Sequence, residues 1–265
     1  ISKRLVNVAK SLVGNVPGGL GMVAAVACVF FGAISGSGPA TLAAIGGIMI
    51  PEMVAAGYSA AWSAALCATA GCIGIFIPPS VALINYAVIA GTSIADQLLS
   101  AIIAGLLTAG LICVYSLYTG KKRNYGGGER FSLNKFLIAL KEGIWPLLMP
   151  LIILGGIYGG FFTPTEAAAV GCGYAFFVGV FITKELTWAR LKNIIIRSTS
   201  SAATIMFIIA VASAFGKMLT VGQLPATMVN FILAQDMSKG VFLLIVMLIL
   251  LVAGTFMDQI STVLI

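Results

Sequence analysis

The chain has 265 residues, 60% of them hydrophobic and 9% charged, with 15 basic and 8 acidic side chains. A soluble domain carries about 25% charged residues, so the composition excludes one and points to a polytopic membrane protein. The sequence contains no histidine, which removes Ser-His-Asp and Cys-His catalysis, HExxH zinc sites and histidine proton relays together.

The apolar segments lack the alternation of an outer-membrane barrel, so the expected fold is all-α. The net charge of +7 is not a nucleic-acid signature. Basic residues sit at the ends of apolar segments, as membrane orientation requires, with no interleaved aromatic and basic surface. Cys28, Cys67, Cys72, Cys113 and Cys172 lie inside apolar segments and read as small core residues. The chain opens without a methionine and stops just past a turn, so it reads as a piece lacking both ends.

Residues 1–17 form an amphipathic arm. The uncharged run Ser11–Pro51 is broken by Ser35-Gly36-Ser37-Gly38-Pro39. Lipid offers no hydrogen-bond partners, so irregular backbone at this depth must line a cavity or pack inside protein. Discontinuous helices of this kind bind substrates and ions in transporters, which makes transport the leading reading. The second arm, Ala40 to Ile50, would cover only about 17 Å at 1.5 Å per residue, so residues 18–51 are expected to re-enter from one face.

Residues 59–90 read as one span broken near Pro78-Pro79, and 95–118 as the next. The loop Lys121–Arg130 is cytoplasmic by the positive-inside rule. Residues 144–162 and 165–183 cross out and back, 184–197 form a cytoplasmic amphipathic arm, and 198–216 cross out again. Only Lys217 and Lys239 of the basic residues then lie on the far side. The layout of 222–256 repeats that of 1–34, pairing Gly18 with Gly240 and Gly32 with Gly254. The topology makes the copies inverted repeats.

Three places carry candidate chemistry. At the hairpin tip, Ser35, Ser37, Thr41 and free carbonyls supply neutral oxygens suited to Na⁺, and the N-terminus of the second arm suits an anion. At the second break, Pro78 and Pro79 stop one half-helix, and Ser80, Asn85 and Tyr86 follow on the next. At the third, Gly254-Thr255-Phe256-Met257-Asp258, an intramembrane carboxylate is a candidate ion or proton site. The GxxxG pairs Gly14/Gly18, Gly155/Gly159 and Gly156/Gly160 read as close helix packing. Thr163-Pro164-Thr165-Glu166 reads as a helix start.

The runs GAISGSGPATLAAIGGIMIPEM, ATAGCIGIFIPPSVALINYAVIAGTSI, GGFFTPTEAAAVG and GTFMD together resemble the large membrane subunit of tripartite ATP-independent periplasmic (TRAP) transporters. The resemblance covers essentially the whole chain. It implies an elevator-type, Na⁺-driven secondary importer of the ion transporter superfamily type, in the bacterial inner membrane. A periplasmic substrate-binding protein would deliver an organic acid, either a sialic acid or a C4-dicarboxylate, and a small membrane subunit would pack alongside.

Carried onto this sequence, Ser37, Gly38, Pro39, Thr41, Pro79, Ser80 and Asn85 are expected at the substrate. Ser35, Gly36, Ser37, Ile77, Pro78, Thr255 and Asp258 are expected at Na⁺. A transport domain of 18–95 plus 240–265 would move against a scaffold of 96–200, which includes a loop at 119–135 and the arm at 184–197. Residues 201–239 would form the second repeat's scaffold and arm. The alternatives are an uncoupled channel or scaffold subunit, and an intramembrane hydrolase using Ser37. The hydrolase lacks a base, because Lys10 and Lys121 lie toward the cytoplasmic face.

Overall fold

The structure, a computed structural model, describes residues 2–13, 16–126, 133–223, 227, 230, 238–257 and 262. All regular structure among them is helical. Six helices are long and apolar enough to cross a membrane, or seven if one bent pair counts as a span. The chain divides into two compact units, Ile1–Glu185 and Leu186–Ile265.

The first unit contains eight helices among its described residues: α1 (Ser2–Val13), α2 (Gly19–Ser35), α3 (Gly38–Ala55), α4 (Ala60–Phe76), α5 (Val81–Ala90), α6 (Ile94–Arg123), α7 (Leu133–Tyr158) and α8 (Pro164–Ile182). Helix α2 is the centre. It is built almost wholly of glycine, alanine and other apolar residues, and α1, α4 and α6 all pack on it. Helix α1 turns Leu5, Val6, Val8 and Ala9 inward, the 3.6-residue periodicity of an amphipathic helix.

Small residues set how closely α2 packs. A Cβ on Gly18 would collide with the Ser116 carbonyl oxygen, and one on Gly32 would lie 2.8 Å from the Gly74 Cα. Gly18 also has φ +75, in the left-handed region that favours glycine. The buried Ser116 hydroxyl donates to the Gly18 carbonyl at 2.8 Å, which fixes the base of α2 on α6.

The hairpin differs from expectation in length. Its second arm, α3, runs 18 residues from Gly38 to Ala55, not 11, which is about 27 Å of helix. Pro51 sits inside this helix without ending it. A π-helical turn at Leu42–Gly46 lies one turn ahead of the proline. Glu52 is accommodated because its carboxylate pairs with Lys10 on α1 at 2.7 Å. The hairpin itself stands despite the longer arm. Gly18 at its entry donates to the Tyr125 carbonyl at 3.4 Å, and Tyr58 just past its exit donates to the Gly126 carbonyl at 2.6 Å. Both ends therefore meet the same loop.

The break between α4 and α5 falls at Pro78-Pro79, as expected, with a bend of 43°. The helix start at Thr163 is a capping box. The Thr163 hydroxyl accepts from the Glu166 amide at 3.3 Å, and the Glu166 carboxylate accepts from the Thr163 amide at 2.8 Å.

Other expectations fail. Gly156 and Gly159 make room for Phe162 and Phe161 just beyond the same helix end, and a Cβ on Gly155 or Gly160 would meet nothing within 4 Å, so among the described residues of this unit these pairs pack no second helix. Gly14 lies outside the described residues. Cys28 and Cys67 are buried, but Cys72 and Cys172 are exposed on outward helix faces rather than in a core.

In the second unit, α9 (Trp188–Val221) and α10 (Lys239–Phe256) are each continuous. The expected arm and the span after it form one helix, since no glycine or proline interrupts residues 188–215. Among the described residues, a Cβ on Gly240 or Gly254 would meet nothing within 4 Å, unlike one on Gly18 or Gly32.

Gly18→Ala should destabilise the protein by about 1–3 kcal/mol, through both the left-handed backbone and the Ser116 contact. Gly47→Ala, in mid-α3 with open space around it, should be neutral or stabilising by up to about 1 kcal/mol. Thermal midpoints of the two variants in one detergent measure the difference.

Candidate functional site

The first and second breaks meet. Gly36 ends α2 with φ +59 and caps it by donating to the Gly32 carbonyl at 2.8 Å. A Cβ there would strike the Pro79 carbonyl oxygen and lie 3.3 Å from the Ser80 Cα. The Val81 amide, at the start of α5, donates to the Gly36 carbonyl at 3.4 Å. From the other side, a Cβ on Gly74 would collide with the Thr41 hydroxyl and lie 3.0 Å from the Ser37 carbonyl oxygen. The hairpin tip thus seats in the bend of the broken helix, with glycine at each point of contact.

Hydroxyls organise the tip. Thr41 is fully buried, and its Oγ1 donates to the Ser37 carbonyl at 2.8 Å. That uses the only Thr41 hydroxyl proton, so Ser35 is the donor in the 2.9 Å Ser35–Thr41 contact. Ser35 Oγ in turn accepts from the Ser37 amide at 3.4 Å. Ser37 caps α3 by accepting from the Ala40 amide, and the buried Ser80 caps α5 by accepting from the Leu83 amide, each at 3.5 Å. Two helix N-termini, each capped by serine, therefore lie beside one another. Their partial positive charge favours an anion. The surrounding hydroxyl and carbonyl oxygens carry no formal charge, and the described residues contain no cluster of three histidine, cysteine or acidic side chains.

Helix α6 serves as a ruler for depth. Gly120 abuts Gly18 at the hairpin base, and a Cβ on Gly105 would lie 2.7 Å from Ile77 Cδ1 at the break. Fifteen residues separate these glycines, about 22 Å along the helix, so the break lies inside a hydrocarbon core of about 30 Å.

Of the expected site residues, Ser35, Gly36, Ser37, Gly38, Thr41, Pro79 and Ser80 come together here. Pro78 is buried in the bend. Ile77 turns its side chain toward Gly105 on α6 rather than into the tip. Pro39 is exposed at the outer edge of the tip. Asn85 lies further along α5, and its Nδ2 is buried without a hydrogen-bond partner among the described residues. Thr255 lies in the second unit, where its hydroxyl donates to the Val252 carbonyl at 2.7 Å. Asp258 lies outside the described residues. Sequence reasoning gives Gly71 and Gly74 no role of their own, yet Gly71 admits Leu42 and Gly74 admits Thr41. Their i, i+3 spacing, which puts two glycines on one helix face, is the available signal.

A polytopic helical protein with a hairpin tip seated in a broken helix at bilayer depth has the build of a membrane transport protein. The chain belongs to the DctM family: residues 1–265 match the family described as "Tripartite ATP-independent periplasmic transporter, DctM component". It is 40% identical over 266 residues to the isethionate TRAP transporter permease protein DctMQ of Oleidesulfovibrio alaskensis, covering all of this chain and 42% of that one. It is 37% identical to the C4-dicarboxylate TRAP transporter large permease protein DctM of Pseudomonas aeruginosa, covering all of this chain and 62% of the relative. For the 2,3-diketo-L-gulonate TRAP transporter large permease protein YiaN of Escherichia coli the identity is 32% over the same shares. The chain therefore spans 42% to 62% of the length of these relatives. They are permeases rather than enzymes, which sets the hydrolase reading aside.

Thr41→Val should cost about 1–3 kcal/mol, because the isosteric change removes a buried hydroxyl that donates to the Ser37 carbonyl and bonds to Ser35. Thr41→Ser should recover most of the loss. Thermal midpoints of both variants check this.

Proposed function

We propose that this chain is the larger part of the transport core of a Na⁺-coupled secondary importer of a small organic acid. The observation that carries the reading is the seating of the hairpin tip in the broken helix at bilayer depth. It gathers neutral oxygens and two helix N-termini in one place. Na⁺ is a co-transported substrate here. Ser35 Oγ, Thr41 Oγ1 and the carbonyls of Gly36, Ile77 and Pro78 are the oxygens offered to it. A carboxylate would rest on the N-termini of α3 and α5, with Ser37, Ser80 and Asn85 as hydroxyl and amide partners.

The tip ties occupancy of the site to the order of the chain. Ser35 and Thr41 bond to each other across the turn, so an ion drawing on both oxygens stiffens the hairpin and prepares the anion site beside it. Thr255 and Asp258 are the residues proposed for a second half-site, built by an inverted copy of the hairpin. An elevator movement, carrying the apposed breaks across the membrane against a fixed scaffold, is the mechanism this architecture suits.

The relatives' names concern isethionate, C4-dicarboxylates and 2,3-diketo-L-gulonate, all small organic acids. They weigh toward an acid of that size over a sialic acid. A periplasmic binding protein and a small membrane subunit are the proposed partners, and the bacterial inner membrane the proposed location. The DctMQ name of one relative is consistent with a small subunit fused to the large one.

The test is uptake by the full-length parent, reconstituted with its small subunit and binding protein. Labelled succinate, isethionate and sialic acid are supplied with and without an inward Na⁺ gradient. Uptake should require both the gradient and the binding protein. Ser35→Ala should raise the Na⁺ concentration for half-maximal uptake severalfold, while Lys10→Gln at the hairpin base should leave it unchanged. Flux that ignores the gradient would make the protein an uncoupled pore.

A further inference from the structure

We propose that the outward face between α4 and α6 is a binding groove for an acyl chain of an anionic phospholipid, with the lipid phosphate held by the basic end of α6. A groove of about 470 Å³ runs between the two helices, lined by Trp62, Leu66 and Thr69 on one side and Thr108, Leu111 and Tyr115 on the other. Its volume lies in the range of ligand-binding clefts, and its walls are apolar apart from the two threonines.

The residues at the groove's end identify its occupant. Toward the loop after α6 the groove gives way to a run of aromatic rings. Tyr115 stacks on Trp62 at 6.5 Å, Trp62 meets Tyr125 at 5.4 Å, and Tyr125 stacks on Tyr58 at 4.3 Å between centroids. Tyr58 and Trp62 are buried, whereas Tyr115 is exposed and Tyr125 half-buried, and amphipathic rings that face lipid sit at headgroup level. Trp62 is 8% exposed, and its indole Nε1 is buried with no acceptor among the described residues. Beyond the rings come Lys121, Lys122 and Arg123, all exposed.

Lys122 is seven residues past Tyr115, so it lies on the same helix face and about 10 Å further along. Arg123 reaches the Tyr125 hydroxyl. That phenol is held below the usual tyrosine range, chiefly by the Ser59 amide donating to it and next by Arg123. Apolar groove, aromatic girdle and cationic end thus succeed one another in the order of a phospholipid's tail, ester region and phosphate. A neighbouring apolar helix would fill the groove without favouring an anionic lipid over a zwitterionic one.

The experiment uses the full-length transporter, delipidated and returned to nanodiscs of equal phosphatidylglycerol and phosphatidylcholine. Lipid retained by the protein is counted by native mass spectrometry. Phosphatidylglycerol should be retained over phosphatidylcholine. Lys122→Gln should cut that preference by about fivefold while leaving the thermal midpoint unchanged. Ala65→Phe, which fills the groove from its exposed wall, should abolish retention of both lipids. Equal retention of the two lipids by the unmodified protein would overturn the proposal. So would undiminished phosphatidylglycerol with Ala65→Phe, or a photo-crosslinker at Leu111 that joins a protein subunit and no lipid.

Discussion

A peptide group inside a bilayer has no water to bond with, and this structure depends on that constraint. Two helices are interrupted at membrane depth, and each interruption releases amides and carbonyls that lipid cannot satisfy. The chain brings the two breaks together. Gly36 offers its carbonyl to the Val81 amide, Ser37 and Ser80 cap the helices that restart, and Thr41 closes the turn on the Ser37 carbonyl. Neither break is satisfied to the same degree without the other.

That mutual satisfaction requires close approach, and close approach requires small residues. Glycines 32, 36, 71 and 74 stand where backbone or the first atoms of a side chain would collide with a Cβ. The same device recurs at the hairpin base, where Gly18 and Gly120 abut. Hydrophobic segregation gives little drive between helices in lipid, so packing and interhelical hydrogen bonds such as Ser116 to Gly18 bear the association. The hairpin is thus anchored at its base and seated at its tip, with Lys10–Glu52 tying its outgoing arm to α1.

The anchoring suits the proposed work. A tip whose hydroxyls bond one another and a carbonyl is open to reorganisation by an ion that draws on the same oxygens. A base clamped by glycine packing, an ion pair and stacked aromatic rings is not. A difference in local stability of this kind lets ligand-binding elements move while their frame stays fixed.

The sequence by itself determined the class. Composition, uncharged runs and the Ser-Gly-Ser-Gly-Pro and Pro-Pro interruptions depend on local chemistry, and they foretold membrane helices, two breaks and a helix start at Thr163. Lengths and neighbours were decided only by the tertiary structure. The second arm was expected to stop at Ile50, but the helix carries on through Pro51 and brings Glu52 to Lys10 on another helix. Gly155 and Gly159 have the spacing of a packing motif, but spacing cannot say whether a second helix is there to meet them. Gly74 matters because Thr41, 33 residues earlier in the chain, folds back against it. Local pattern records what a residue can do with its near neighbours, and only the folded chain supplies the distant ones.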